Sequence, residues 1–211
     1  MSKICHIAAA LPFNDEIKPS PADLVIAADA GYEELVKRGL RPDLIVGDFD
    51  SLGSIPEGAN ILRHPVMKYD TDLMLAIKLG LERGYKVFYI YGGLGGRLDH
   101  TIANIQALDY INENGGIGYL FGENETATVF SDGELYFNED SKGLISVFAQ
   151  GGTAEGVTLK GLLYPLNNAV LSPAYPLGVS NEFTGAKAVV RVRKGKLLVI
   201  WTGNNIGVLN R

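Results

Sequence analysis

Six aspartates define the chemistry open to this chain: Asp29, Asp48, Asp50, Asp70, Asp72 and Asp99. Each stands just beyond an apolar run or at the start of a helical pattern. The densest pair lies in LIVGDFDSLG, residues 44–53, where Asp48 and Asp50 flank Phe49 directly after a run of aliphatic residues. Taken singly, each is explained by folding, because aspartate is favoured in turns and at helix N-termini. Taken jointly, they bring several carboxylates to one rim, where like charges repel. A hard divalent cation removes that repulsion. Mg²⁺ suits the role, since it prefers oxygen ligands and works with bound phosphates. The acids together point to metal and phosphate chemistry.

A second motif supports phosphate binding. YGGLGGRLDH, residues 91–100, carries glycines at 92, 93, 95 and 96 between an apolar run and a helical pattern. Backbone amides at Gly95 and Gly96 can approach an anion closely, and the N-terminus of the following helix favours negative charge. Arg97 could fork onto phosphate oxygens, and Lys68 is a further cation within reach of a phosphate. The loop is neither a GxxxxGK[ST] nor a GxGxxG motif, which sets aside those two nucleotide-binding readings. The residues expected to hold the nucleotide are Lys68, Thr71, Gly95, Gly96 and Asp29, with Arg97 and the rim acids as the candidate catalytic groups.

Positioning these groups requires strands that end together. KICHIAAAL (3–11), DLVIAAD (23–29), DLIVGD (43–48), ANILRHP (59–65), KVFYIYG (86–92) and IGYLFG (117–122) read as strands. Several are almost wholly apolar, as expected when both faces of a parallel sheet are covered. Between them, residues 30–39, 71–84 and 97–115 read as helices, each stopped by a glycine. This alternation predicts an α/β unit with a mostly parallel open sheet over residues 1–124, carrying its ligands beyond the carboxyl ends of the strands. From residue 125 the helical period disappears and glycines multiply. Turns are expected at Ser131-Asp132-Gly133, Gly151-Gly152 and Lys194-Gly195, giving a small all-β sandwich over residues 125–211.

Composition removes other classes. The chain has 211 residues and a net charge of −5, with no basic footprint for nucleic acid. No stretch is apolar for long enough to span a membrane. The run KICHIAAALPF is short and soon followed by Asp15 and Glu16, so it reads as a first strand rather than a leader. Cys5 is the single cysteine, which excludes an internal disulfide and suits a cytoplasmic protein.

Three motifs together resemble those of the thiamine pyrophosphokinases: GDFDS at 47–51, KYDTD at 68–72 and GGLGGRLDH at 92–100. GLLYPLNN (161–168) and GVSNEFTG (178–185) resemble that family's β-domain, so the likeness spans the chain. Two departures are visible, Tyr69 in place of an aspartate and Ala30 in place of a glycine. The resemblance implies a homodimer that transfers a pyrophosphoryl group from Mg-ATP to thiamine, giving thiamine diphosphate and AMP. It places Asp48, Asp50, Asp72 and Asp99 on metal and phosphates, and Ser180, Asn181 and Phe183 at a thiamine site built where subunits meet. The second unit would then bind thiamine and support dimerisation. Two other readings use the same residues: a Mg²⁺-dependent phosphohydrolase with the Asp48/Asp50 pair, and a non-catalytic thiamine or nucleotide sensor.

Overall fold

The computed structural model of the chain describes residues 3–47, 70–203 and 205–210. Asp48, Asp50 and Lys68, together with the strand expected at 59–65, lie outside the described residues. The chain divides into two compact units, Met1–Glu123 and Asn124–Arg211.

In the first unit, five parallel strands are described: β1 (Ile4–Ala8), β2 (Leu24–Ala28), β3 (Leu44–Val46), β4 (Val87–Tyr91) and β5 (Ile117–Phe121). They pair in the order β3-β2-β1-β4-β5. Neighbours in space are therefore not neighbours in sequence at β1–β4, and the loops leaving these two strands part there. Such a switch point is where open α/β sheets bind ligands. Burial on both faces accounts for the aliphatic strands: Ile7, Ile26, Ile45 and Ile90 are fully buried.

Among the described residues three helices connect the strands: α1 (Gly31–Lys37), α2 (Asp72–Glu82) and α3 (Leu98–Glu113). Each ends in the same paired hydrogen bonds. Gly39, Gly84 and Gly115 have positive φ and donate three residues back, to Val36, Leu81 and Asn112. Leu40, Tyr85 and Gly116 donate five residues back, to Leu35, Gly80 and Ile111. This is the Schellman closure, which satisfies the last helical carbonyls and favours glycine at its left-handed position.

Small residues seat α2 and α3 on one face of the sheet. Gly80 of α2 lies so close that a methyl group there would sit 2.6 Å from Phe88 and 3.0 Å from Cys5. Gly118 of β5 lies equally close to Leu108 and Ile111 of α3. The opposite face carries an aromatic row, in which His6, Tyr89 and Tyr119 meet edge to face, and Phe121 stacks on Tyr91 with 5.1 Å between ring centroids.

The second unit is all β: β6 (Glu125–Phe137), β7 (Leu144–Lys160), β8 (Leu166–Leu171), β9 (Gly178–Glu182), β10 (Ala188–Thr202) and β11 (Val208–Asn210). β10 pairs antiparallel with β6 on one side and β7 on the other; β8 and β9 pair with separate ends of β7, and β11 with β6. The expected turns at 131–133, 151–152 and 194–195 are not turns. All three lie inside continuous strands, at or beside breaks in the pairing register. On β10, Lys194 pairs with Glu155 and Lys196 with Gln150, so β7 carries extra residues between them. Asp132, Gly151 and Gly195 take the positive φ that such irregularities need. These bulges let long strands bend around a core containing Trp201, Phe130, Leu197 and Val199.

Candidate active site

A cavity of about 700 Å³ opens at the carboxyl edge of the first unit's sheet. Its wall comes from the chain leaving β1, β2, β3 and β4, and from the first turns of α2 and α3. Four of the six rim acids, Asp29, Asp70, Asp72 and Asp99, line it, together with Thr71, Gly95 and Arg97. Gly96 follows Gly95 in the same loop.

Asp29 directly follows β2 with a φ of 51°, a left-handed conformation that aspartate adopts more readily than most residues. Its N–H donates to the Val46 carbonyl at 2.9 Å, tying the ends of β2 and β3 together. The neighbouring Gly31 has no room for a side chain, since a methyl group would sit 2.0 Å from the Ala8 carbonyl oxygen. That close approach brings the ends of β1 and β2 to the same edge.

At α2 the three motif residues have different local roles. Thr71 is the N-cap, and its Oγ1 accepts from the Met74 N–H at 3.2 Å. Asp72 opens the helix, where the free N–H groups and the helix dipole favour a carboxylate. Asp70 pairs with Lys78 at 2.6 Å, and that hydrogen bond raises the lysine's pKa. The Lys78 side chain thereby spans the first two turns of the helix and anchors the segment that carries Asp72.

At α3, Arg97 forks onto Asp99: Nε donates to Oδ1 at 3.1 Å and Nη2 to Oδ2 at 2.6 Å. The guanidinium holds the Asp99 carboxyl below the usual aspartate range. Asp99 Oδ1 also accepts from the His100 N–H. Both side chains are exposed at the cavity mouth. An anion entering the cavity therefore meets an arginine already oriented in a plane.

The glycine loop is shaped by crowding at one end and openness at the other. Gly92 has a φ of 69°, and a methyl group there would sit 2.1 Å from the Leu11 carbonyl oxygen. At Gly95, φ is 92° and nothing lies within 4 Å of the position a methyl group would take. Thr101 and Asn104 of α3 hold the carbonyls of Gly95 and Gly93, at 3.0 and 2.8 Å. Sequence reasoning passed over both residues, because an amide or hydroxyl inside a helical pattern gives no local sign of its partner.

The second unit places the other three expected site residues on or beside β9. Ser180 is exposed with a φ of 57°, and its N–H donates to Ser146 Oγ. Asn181 is 3% exposed, and its amide grips the main chain of Tyr164 from both ends: Oδ1 accepts from the Tyr164 N–H at 2.9 Å, and Nδ2 donates to the Tyr164 carbonyl at 2.7 Å. Phe183 is half-buried with its ring against Phe137, at 5.1 Å between centroids.

Among the described residues no three carboxylate, histidine or cysteine groups converge into a closed metal cage. The carboxylates of Asp29, Asp70, Asp72 and Asp99 line the cavity beside one imidazole, His100, with no thiolate or thioether among the lining side chains. That set fits Mg²⁺, which is held by one or two protein carboxylates and completed by water and phosphate oxygens. No helix of the described residues is long and apolar enough to cross a membrane.

A parallel sheet with acids, a forked arginine and a glycine loop gathered at its carboxyl edge is the architecture of a phosphate-handling α/β protein. Comparison with known proteins narrows that class. The family model described as thiamin pyrophosphokinase, catalytic domain, matches residues 19–116, and that described as thiamin pyrophosphokinase, vitamin B1 binding domain, matches residues 134–197. Thiamine pyrophosphokinase of Bacillus subtilis is 32% identical over 185 residues, covering 84% of this chain and 86% of the relative. Thiamin pyrophosphokinase 1 of Caenorhabditis elegans is 25% identical over 183 residues, with 79% and 74% covered. The crystal structure of the Bacillus subtilis thiamine pyrophosphokinase superposes with a TM-score of 0.83 at 27% identity, covering 96% of this chain and all of that one. The chain belongs to the thiamine pyrophosphokinase family.

Proposed function

We infer that the protein transfers a pyrophosphoryl group from ATP to thiamine, giving thiamine diphosphate and AMP. The observation that carries this reading is a cavity in which Asp29, Asp72, Asp99, Arg97 and the glycine loop meet, in a chain of this family. The thiamine hydroxyl oxygen forms a bond to the β-phosphorus of ATP. The bond from that phosphorus to the α,β-bridging oxygen breaks, and AMP leaves with the electron pair. Little covalent work falls to the protein, so orientation and charge neutralisation lower the barrier. Loop amides at Gly95 and Gly96, with Lys68, would bind the polyphosphate. Arg97 would turn its fork from Asp99 to a phosphate and oppose the charge that develops there. Asp29 and Thr71 would border the nucleotide. Asp72 and Asp99, with Asp48 and Asp50 from the segment after β3, would hold Mg²⁺, which when bound neutralises phosphate oxygens. A carboxylate not engaged with the metal would accept the hydroxyl proton.

Thiamine would meet the second unit at Ser180 and Phe183, whose partly exposed ring offers a face to a flat cation. Asn181 would act there by holding Tyr164 in place. A homodimer is the proposed assembly and the cytoplasm the proposed location. Supporting the dimer, Tyr164, Val170, Tyr175 and Val208 of the second unit are more than half exposed, and large apolar side chains in number suit a covered face. The first unit is proposed as catalytic and the second as thiamine-binding and dimer-forming.

Incubation with Mg-ATP and thiamine tests the reaction. AMP and thiamine diphosphate in equal amounts are expected. Phosphate released without thiamine would instead mark a phosphohydrolase, and binding of both substrates without product would mark a sensor.

A further inference from the structure

Asn104 and Thr101 hold the glycine loop in a way that decides where its amides point. Asn104 Nδ2 donates to the Gly93 carbonyl at 2.8 Å, and one turn earlier Thr101 Oγ1 donates to the Gly95 carbonyl at 3.0 Å. Standing three residues apart on α3, the two side chains share a helix face. Thr101 Oγ1 also lies 3.3 Å from the Arg97 carbonyl, within the same turn. The start of the loop is fixed from the other side, because the N–H groups of Gly92 and Gly93 both reach the Phe121 carbonyl, at 2.9 and 3.3 Å.

The consequence follows from the planar trans peptide, whose C=O and N–H point in opposite directions. Drawing the Gly93 carbonyl towards α3 aims the N–H of Leu94 away from the helix. Drawing the Gly95 carbonyl the same way aims the N–H of Gly96 away from it. Neither of these N–H groups has an acceptor among the described residues. Gly95 and Gly96 take φ values of 92° and 63°, so their backbone has freedom that some other contact must remove. Gly92, Gly95 and Asn104 all belong to the cavity wall. The Gly93 and Gly95 carbonyls are thus taken up by the helix, while the Leu94 and Gly96 N–H groups stay available for an anion.

We propose that Asn104 and Thr101 are positioning residues that orient the Leu94 and Gly96 amides toward the polyphosphate of the nucleotide. This deepens, and rests on, the reading of the cavity as the Mg-ATP site. Neither side chain need touch the substrate. Their contribution is to preorganise donors that would otherwise have to be ordered when the nucleotide binds.

The test compares the full-length wild type with Thr101→Val, Thr101→Ser and Asn104→Ala. Calorimetric titration with Mg-ATP, without thiamine, reads binding, and product formation is measured separately. Thr101→Val and Asn104→Ala are each expected to weaken Mg-ATP binding by about tenfold, the scale of one lost hydrogen bond. Thiamine KM should stay within twofold and the unfolding midpoint close to that of the wild type. Thr101→Ser, which keeps the hydroxyl, should recover most of the affinity. If Asn104→Ala does not fold, the two Thr101 variants decide alone. Mg-ATP affinity within twofold of wild type in both Thr101→Val and Asn104→Ala overturns the inference. So does loss of stability without loss of affinity, and so does a wild type that fails to bind Mg-ATP. A wild type that binds Mg-ATP but forms no thiamine diphosphate counts against the reaction assigned above, while the affinities still decide the inference.

Discussion

Gly92 and Gly95 occupy one loop three residues apart, yet replacing each by alanine should damage different properties. At Gly95 the φ of 92° is the obstacle, because nothing lies within 4 Å of the new methyl group. A positive φ costs a non-glycine residue about 1–2 kcal/mol. At Gly92 the φ of 69° carries a similar cost, but the methyl group would also sit 2.1 Å from the Leu11 carbonyl oxygen. That contact cannot be relieved by a side-chain rotation. Leu11 N–H is bonded to the Gly92 carbonyl, and Gly92 N–H to Phe121, so relief must move the chain after β1 or separate it from β4. Forced overpacking of this kind adds about 1–3 kcal/mol, which makes about 2–5 kcal/mol in all. For a folding unit of this size, 1 kcal/mol lowers the midpoint by about 4 °C. Gly95→Ala should then lose about 4–8 °C, and Gly92→Ala about 8–20 °C. Activity should rank them the other way when each is assayed well below its own midpoint. The Gly95 methyl group projects into open space where the polyphosphate is proposed to lie, so KM for Mg-ATP should rise more in Gly95→Ala than its modest destabilisation suggests. Thermal unfolding followed by circular dichroism, with steady-state kinetics on the same preparations, provides both readings. A Gly92→Ala protein as stable as the wild type, or a Gly95→Ala protein less stable than Gly92→Ala, would refute the reasoning.

Three further outcomes are expected. Asp50→Asn should lower turnover by about 100-fold or more, on the scale of losing a group that manages transition-state charge, while leaving the unfolding midpoint unchanged; near-normal turnover would remove Asp50 from the metal set. Cys5 is fully buried and its thiol is pushed up to about 12, chiefly by that burial. Ellman's reagent at pH 8 should therefore find no reactive thiol in the native protein and one after denaturation, and rapid native labelling would contradict the packing under Gly80. His6 is buried beside Asp23, 3.7 Å away, with Nδ1 3.1 Å from the Tyr91 hydroxyl. Burial lowers its pKa against the opposing pull of Asp23, so the folded state binds fewer protons than the unfolded state near the ordinary histidine value. The stability this represents is complete above about pH 6.5 and is lost as pH falls below it. The wild-type midpoint should drop between pH 7.5 and 5.5, and His6→Gln should flatten that slope; equal slopes would exclude His6 as the cause.

Much of the first unit could be read from the chain alone. Helix ends are written locally, since a glycine after an amphipathic run can close a Schellman motif without knowledge of anything distant, and Gly39, Gly84 and Gly115 all do so. Aliphatic runs such as Leu24–Ala28 identify buried parallel strands because both faces must be covered. Asp29, Asp72 and Asp99 could be placed at strand or helix ends because aspartate is favoured there. The second unit was less legible. Asp132-Gly133 and Lys194-Gly195 satisfy a hairpin turn and a bulge equally well, and the choice depends on the strand that lies opposite. For Lys194 and Lys196 that partner is some forty residues earlier in the chain, at Glu155 and Gln150. Side chains whose role lies in their hydrogen-bond partner were beyond sequence reasoning for the same cause. The Asn181 amide grips Tyr164, Lys78 pairs with Asp70, Arg97 forks onto Asp99, and Thr101 and Asn104 draw the glycine loop onto α3. The amino-acid sequence determined which groups could do chemistry and which edge of the sheet would carry them, because propensity, periodicity and charge act over a few residues. Which donor meets which acceptor was decided only by the tertiary structure, because those bonds join backbone and side chains whose proximity no local preference encodes.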